Sequence, residues 1–404
     1  MKPHVLMLTP QLPYPPHQGT TIRNYHILRY LATRATVTLV TFVDPDQPAP
    51  EETPLLRWTK AVHARPTPRR RARERLRSLV TSPLPDLALR LEDPAMHQVV
   101  RSLAQDAQVD VLLVEGLEMA PYMLTYLRAH PSSGVRVLFD AHNAEYVLQK
   151  RAFLTDIRSP WRWHTALYSL VQWGKLRAYE GAILRRADHV FAVSQRDREH
   201  LAALAGDRGV TVVPNGVDVA YYTARSEPNP GMGEPALVFT GKMDYRPNVD
   251  AVLWFVQRVW PKVREQAPQA RFFVVGKSPH PRILDLNRVP GVVVTGAVPD
   301  VRPYLYGATL FVIPLRVGGG TRLKVLEAMA TRRAVVSTSL GVEGYPFRHG
   351  EHLLIADDAE AFARAVLRLL GDEDVRRQLG ERAYAFVRER YDWSRVLQPL
   401  GDWV

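Results

Sequence analysis

Short runs of apolar, β-branched residues alternate along most of the chain with longer stretches in which apolar positions recur at helical spacing. Val5–Leu8, Val37–Val43, Val109–Glu115, Val135–Asp140, His189–Val193 and Val210–Val213 have the length and make-up of buried strands. Helical patterns fall between most of them, including Thr20–Leu31 and Trp163–Arg186. A break follows at ARSEPNPGMGEP, residues 224–235, rich in Pro and Gly, which reads as a linker. The alternation then restarts, with strands expected at Ala236–Thr240, Arg271–Gly276, Val292–Thr295, Leu310–Ile313 and Val335–Ser337. Helices are expected near Val249–Glu265, Thr321–Ala330 and Ala359–Leu370. Strand–helix alternation of this kind predicts parallel sheets with helices on both faces. The expected organisation is α/β, two doubly wound Rossmann-like domains facing across a cleft. The first spans 1–223 and the second 236–390, and a segment from about 391 packs back on the first domain.

Composition narrows the chemistry. The 404 residues exceed what one core usually organises, which agrees with two domains. There is no cysteine, so disulfides, thiolate metal sites and a cysteine nucleophile are excluded. The N-terminal apolar run breaks at Pro10 and Pro13, too soon for a secretory signal, and no window reaches the roughly 18 apolar residues of a membrane span. The expected location is therefore cytoplasmic, or peripheral at the inner face of the membrane. A formal charge of +12 favours anionic partners, among them diphosphates, anionic lipid and nucleic acid. No aromatic-basic module supports nucleic acid, which is not expected as a partner.

The most informative stretch is IPLRVGGGTRLKVLEAMA, residues 313–330. A buried strand ends at Pro314, and a loop with Gly318, Gly319 and Gly320 precedes a helix that Thr321 caps or opens. Glycines admit close approach of the backbone to a ligand, and a helix N-terminus favours phosphate. Lys324 adds positive charge one turn in, and Glu327 a carboxylate able to accept two hydrogen bonds from a ribose diol. The competing reading is a flexible loop with a surface Lys–Glu pair.

This segment resembles the donor site of the family-4 retaining glycosyltransferases of GT-B architecture, where E-x7-E precedes an EAMA-like helix. Glu327 matches the second glutamate, which in the family binds the donor ribose. Gly319 stands where the first glutamate would be, which implies that the amides of Gly319 and Gly320 meet the sugar hydroxyls instead. FTGKMDYRPN, residues 239–248, resembles the family's loop after the first strand of the second domain. The resemblance implies that Gly241 shapes a tight turn and that Lys242, with Arg246 as a weaker candidate, neutralises the donor diphosphate. TPQLPYPPHQGTTIRNYHI resembles the family's opening pattern, implying a close pass of the diphosphate at Gly19, beside Gln18, and Arg23 nearby on the first helix. FDAHNAEY, residues 139–146, places His142, Asn143 and Glu145 at a strand's carboxyl edge, where His142 matches the family's active-site histidine and Asn143 and Glu145 face the acceptor or cleft.

The resemblance covers nearly the whole chain. It implies transfer of a sugar from a nucleotide-diphosphate sugar to a sugar, lipid-linked or small-molecule acceptor, with retention of configuration, in surface glycan assembly. His142, Lys242 and Glu327 are the expected catalytic residues, and no cofactor beyond the nucleotide-sugar co-substrate is expected. Because Gly319 replaces a family carboxylate, a catalytically inactive nucleotide-binding regulator is the alternative. An NAD-dependent oxidoreductase would need G-x-G-x-x-G after strand one, where TPQLPYPPHQG stands instead. The Asp44–Asp46 pair of VDPDQP reads as a turn, and no metal is expected. RPTPRRRARERLR, residues 65–77, holds seven arginines against one glutamate and suits either an anionic membrane surface or a solvated helix face. Trp163 and Trp173 share helical spacing with Leu167, Leu170 and Leu176 and are expected in the core, while Trp161 is left open.

Overall fold

A computed structural model of the chain describes residues 2–17, 19–106, 108–131, 134–158, 160–224 and 227–404. The chain divides into two compact units, one reaching to Pro214 and including Leu397–Val404, the other Asn215–Val396. The first unit is built on seven strands: β1 (His4–Thr9), β2 (Thr36–Val43), β3 (Ala61–Pro66), β4 (Val111–Glu115), β5 (Arg136–Ala141), β6 (His189–Ala192) and β7 (Gly209–Val212). They form one parallel sheet in the order β3-β2-β1-β4-β5-β6-β7, with Val5 opposite both Val37 and Val111. The second unit holds β8 (Ala236–Thr240), β9 (Arg271–Val275), β10 (Val292–Gly296), β11 (Leu310–Ile313), β12 (Val335–Ser337) and β13 (Leu354–Ile355), parallel in the order β10-β9-β8-β11-β12-β13.

The two sheets share one logic. Chain progression runs outward one way from the first strand of each unit and then resumes on its other side. The switch point therefore lies between β1 and β4 in the first unit and between β8 and β11 in the second. Loops leaving those strands at their carboxyl ends diverge and leave a crevice, where open α/β sheets bind ligands. The central strands β1, β4, β8 and β11 are almost wholly buried, as helices on both faces require.

Two strands fall outside the sequence expectation. β3 reads AVHARP, half-exposed and polar enough to mask its pattern, and sits at a sheet edge where Pro66 removes no needed donor. β13 is only two residues long. The helix Glu373–Arg390 was not expected either, because its apolar positions are few, with only Leu379, Ala383, Tyr384 and Val387 buried along with Gly380. The helix expected at Val249–Glu265 runs Arg246–Trp254, widens into a π-turn at Phe255–Val259 and continues Trp260–Gln266. Pro261 lacks an N–H and would crowd the carbonyl of Gln257 in a regular α-helix, and the wider turn relieves that.

The domain boundary also moves. Residues 215–223, assigned above to the first domain, belong to the second unit. Asn215 Nδ2 donates to Thr321 Oγ1 at 2.9 Å, and the Val217 amide donates to the Tyr391 carbonyl at 2.8 Å. Returning chain joins the first unit from Leu397 rather than from about 391, because Tyr391 and Trp393 pack with Val217. Beyond it the Trp403 ring stacks on His189 at 3.9 Å. Gln18 beside Gly19, and Arg225–Ser226 of the expected linker, lie outside the described residues.

In the second unit the turns after β8 and β9 touch backbone to backbone: a Cβ added at Gly276 would lie 1.7 Å from the Gly241 carbonyl oxygen. Gly276→Ala is therefore expected to destabilise this unit by about 3 kcal/mol or more. Thermal and urea denaturation would read it, and an unchanged transition would contradict the close approach.

Candidate functional site

In the first unit β4 ends on Glu115 and β5 carries Asp140 as its penultimate residue, so two carboxylates emerge side by side where the apolar runs stop. Arg23 reaches them from the helix Gly19–Ala32, which follows β1. Its Nε donates to Asp140 Oδ2 and its Nη2 to Asp140 Oδ1, both at 2.6 Å, and Nη1 donates to the Pro214 carbonyl at 3.3 Å. At 1% exposure, Arg23 braces the end of β5 through a buried bidentate pair. Gly19 opens that helix and is exposed.

His142 completes the cluster, with Nε2 3.2 Å from Glu115 Oε2 and 3.8 Å from Asp140 Oδ2. Burial and then Asp140's negative charge push the Glu115 pKa well up, against the pull of Arg23. Burial also raises Asp140, but the Arg23 guanidinium outweighs it and holds the carboxylate below its ordinary range. Burial lowers His142, opposed by Asp140 and reinforced by Arg23. The Arg23 guanidinium thus keeps Asp140 ionised, while burial favours the uncharged forms of Glu115 and His142.

Asn143 and Glu145 stand one step along the chain, joined by an Asn143 Nδ2 to Glu145 Oε1 hydrogen bond of 3.2 Å. Glu145 opens the helix Glu145–Asp156, whose first amides are taken by side chains from elsewhere. Asp197 accepts from Ala144, and Glu180 accepts from Glu145 at 3.1 Å and Tyr146 at 3.0 Å. Burial raises Glu180 to about 8; burial, with Glu118 adding to it, raises Glu145 to about 7.

The second unit's crevice is lined by the loop after β8 and by the glycine loop before the helix Leu323–Ala330. Lys324 lies recessed between them. Its Nζ donates to the Thr240 carbonyl at 2.6 Å and to Asn248 Oδ1 at 3.0 Å, and sits 4.0 Å from the centre of the Phe239 ring. Asn248 Nδ2 in turn holds the Lys242 carbonyl at 2.8 Å. Burial, with Arg322 nearby, lowers Lys324 to about 7 against the opposing effect of Glu327. Glu327 is pushed up by burial, countered by a hydrogen bond from the Tyr222 hydroxyl and by Lys324. A Cβ at Gly241 would lie 2.9 Å from Lys324 Nζ, so glycine is what lets the loop and the lysine meet.

Several expected positions are resolved differently. Thr321 precedes the helix, which begins at Leu323, and holds Asn215 rather than a helix amide. Gly318 and Gly320 take positive φ of 114° and 77°, and the Gly319 carbonyl accepts from Arg322 Nη1. Lys242 is at the surface, 3.4 Å from Asp244, and Arg246 is exposed at the start of its helix, so the cations the fold sets into this crevice are Lys324 and, on the Gly319 carbonyl, Arg322.

Sequence reasoning missed Glu115, Asp140, Glu180 and Tyr222. The first two had a readable signal, a lone acidic residue at the carboxyl end of an apolar run. The others come from distant elements. Glu115, Asp140 and His142 each offer a ligand-type atom within 4.8 Å of one another. They suit a metal poorly, because both Asp140 oxygens are held by Arg23, whose charge repels a cation. Asp44 of the D-x-D accepts from Thr67 Oγ1 at 2.6 Å, and its carbonyl accepts from the Gln47 amide at 3.0 Å in a turn.

Two family models match the chain. Glycosyltransferase Family 4 covers residues 18–221, about half of the 404, and Glycosyl transferases group 1 covers residues 234–372. The chain belongs to glycosyltransferase family 4. Its fold is GT-B, with two Rossmann-like domains. Sucrose-phosphate synthase from Thermosynechococcus elongatus superposes with a TM-score of 0.69 at 16% identity, covering 100% of this chain and 98% of that one. Anabaena HepE in complex with UDP and glucose gives 0.67 at 15% identity, with 98% of each chain covered. Among curated relatives, the lipopolysaccharide core biosynthesis mannosyltransferase LpcC of Rhizobium leguminosarum bv. viciae is 26% identical over 55% of this chain and 66% of its own length. The putative teichuronic acid biosynthesis glycosyltransferase TuaC of Bacillus subtilis (strain 168) is 27% identical over 56% of this chain and 58% of its own. These matches, with one to a Klebsiella pneumoniae protein, span between 44% and 66% of the relatives' lengths.

For this family-4 chain the buried pair gives a sharp contrast. Asp140→Asn leaves a buried guanidinium without its counter-charge and is expected to lose about 3–5 kcal/mol. Glu115→Gln replaces a carboxyl whose burial favours its uncharged form and is expected to lose under about 1 kcal/mol. Denaturation of both variants at neutral pH tests this, and equal losses would contradict the upward shift of Glu115.

Proposed function

We propose that the chain transfers a hexosyl group from a nucleotide-diphosphate sugar to an acceptor hydroxyl, retaining anomeric configuration, in the assembly of a surface glycan. The observation that supports it most is Lys324, recessed against the end of β8 and the loop after it with only neutral oxygens and a ring face as direct partners. A cation so placed, in the first turn of a helix whose N-cap residue Arg322 makes no side-chain capping bond, suits a diphosphate. Family membership, and the nucleotide and sugar named with HepE, agree with this reading.

In this mechanism the second unit binds the donor. Glu327 accepts the ribose hydroxyls, steadied by Tyr222, and amides of Gly319 and Gly320 meet the sugar. Gly241 and Gly318 shape the loops around the diphosphate, Thr321 fixes the glycine loop through Asn215, and Lys242 and Arg246 add surface charge at its rim. Lys324 stabilises the charge that develops on the leaving diphosphate, which is electrostatic catalysis. In the first unit neutral His142 meets the donor sugar, Arg23 acts as a positioning residue through Asp140, and Asn143 and Glu145 meet the acceptor. A diphosphate oxygen takes the acceptor proton, so no metal and no separate base are required. The acceptor is a sugar, a lipid-linked or a small molecule, and the reaction is placed in the cytoplasm. The second reading, a nucleotide-binding regulator, rests on Gly319 standing where a carboxylate is expected.

Of UDP, GDP, ADP and their sugar conjugates, one nucleotide series is expected to raise the melting temperature, with most of the shift lost in Glu327→Ala. Turnover of that sugar nucleotide is expected to persist in EDTA and to yield the retained anomer by NMR. Binding without any release of nucleotide from its sugar would favour the regulator, and loss in EDTA or an inverted product would overturn the mechanism.

Lys324 also sets a pH dependence. A diphosphate raises a pKa that starts at about 7, so binding takes up a proton above pH 7 and weakens as pH rises further. Calorimetry at pH 8 in buffers of different ionisation heat is expected to show that uptake in the wild type and not in Lys324→Met. Equal uptake in both would remove Lys324 from the site.

A further inference from the structure

The first unit exposes large apolar side chains in two regular stripes. On the helix Ala72–Thr81, which buries no residue, Leu76 is 67% and Val80 86% exposed. On the helix Trp163–Leu184, Trp163 is 62% and Leu167 63% exposed, with Leu170 one further helical turn along and Trp161 at 89% just before. Trp163 was expected in the core, and the structure places it outside. Trp173, expected in the core as well, is half-buried and stacked on Phe153. The two helices are neighbours: Lys175 Nζ donates to the carbonyls of Leu79 at 2.7 Å and Ser82 at 2.6 Å, and Arg75 reaches the Tyr168 hydroxyl at 3.3 Å. Isolated exposed apolar residues are ordinary, whereas a grouped set on adjoining helices marks an interaction surface.

Charge identifies the occupant. At about 100° per residue, Arg73 and Arg77 fall within the same arc of roughly 100° as Leu76 and Val80. Arg69 and Arg71 lie just before the helix and are exposed as well. Arg70 and Arg75 share the one carboxylate of Asp86, and Glu74 accepts from the Arg71 amide at 2.9 Å, but the guanidinium groups of Arg69, Arg71, Arg73 and Arg77 have no ion-pair partner among the described residues. A second copy seated on this face would bring arginines against arginines. An anionic bilayer instead offers phosphates to the arginines, an apolar layer to Leu76 and Val80, and an interface where tryptophan is favoured. No helix among the described residues is long and apolar enough to cross a membrane. We propose that this face docks the protein on the surface of an anionic phospholipid bilayer, with Leu76, Val80, Trp161 and Trp163 entering the headgroup layer.

Vesicle flotation of the full chain tests this, using phosphatidylcholine alone and phosphatidylcholine with about one-third phosphatidylglycerol. Binding is expected on the anionic vesicles only and is expected to weaken with salt. Replacing Arg69, Arg71, Arg73 and Arg77 together by Gln should reduce it at least tenfold, as should Leu76→Ser with Val80→Ser. Trp161→Ser with Trp163→Ser should weaken it independently. All these side chains are exposed, so an unchanged melting temperature confirms that each variant is folded. Equal binding to both vesicle types, no binding to either, or anionic binding untouched by these changes would overturn the proposal. So would a wild-type dimer in solution that Leu76→Ser with Val80→Ser dissociates. None of these outcomes depends on nucleotide binding, which is read separately.

Discussion

A parallel strand covered on both faces has no side on which to carry charge. In β4 every residue is buried, and in β5 every residue after Arg136 is, so polar chemistry is confined to the ends. The switch point of each sheet then selects which ends matter, because only there do the departing loops diverge. Glu115 and Asp140 in the first unit, and Thr240 with the glycine turn after it in the second, are where they are for this reason. A carboxylate at such a position has left water and needs a cation delivered from another element. The helix following β1 supplies Arg23, and the loop, the helix and the end of β5 become one rigid piece.

The two units meet this requirement in opposite ways. In the first, Arg23 and Asp140 cancel, and burial favours the uncharged forms of Glu115 and His142 beside them. That crevice is electrostatically closed, and what it offers a ligand is hydrogen bonding from a neutral imidazole. In the second, Lys324 has a carbonyl, an amide oxygen and a ring face as partners, none of which cancels its charge. Burial, with Arg322 nearby, lowers its pKa, and a polyanion would oppose that shift. The same fold thus yields one site suited to neutral hydroxyl groups and another suited to phosphate.

How much of this was legible depended on whether the pattern was local. The central strands, the glycine loop, Lys324 and Glu327 were readable, because apolar runs and loop-to-helix transitions are written in consecutive residues. Arg23 was found, but its partner was not, since the two are 117 positions apart and only the order of strands brings them together. Lys242 looked like the principal cation for the opposite reason. Adjacency to the glycine turn is visible in sequence, whereas Asn248 holding the Lys242 carbonyl, with the side chain left outward, is not. The boundary at Pro214 was missed because the Pro and Gly signal falls after the chain has already joined the second unit through Asn215 and Val217.

Trp163, Leu167 and Leu170 show a further limit of periodicity. Helical spacing of apolar residues states that one face must be covered, and a core is the usual cover within a single chain. It does not state that the chain supplies the cover itself. Here the helix Trp163–Leu184 turns Leu176, Ile183 and Leu184 inward near its end and leaves the Trp163 stripe outside. The arginines beside the neighbouring stripe, unreadable as partners of it from sequence, separate the candidates for that cover. An apolar face ringed by like charge disfavours its own copy and favours a surface of opposite sign that is apolar just beneath. The residues that defeat the core assignment are therefore the ones that make a lipid surface the better physical match.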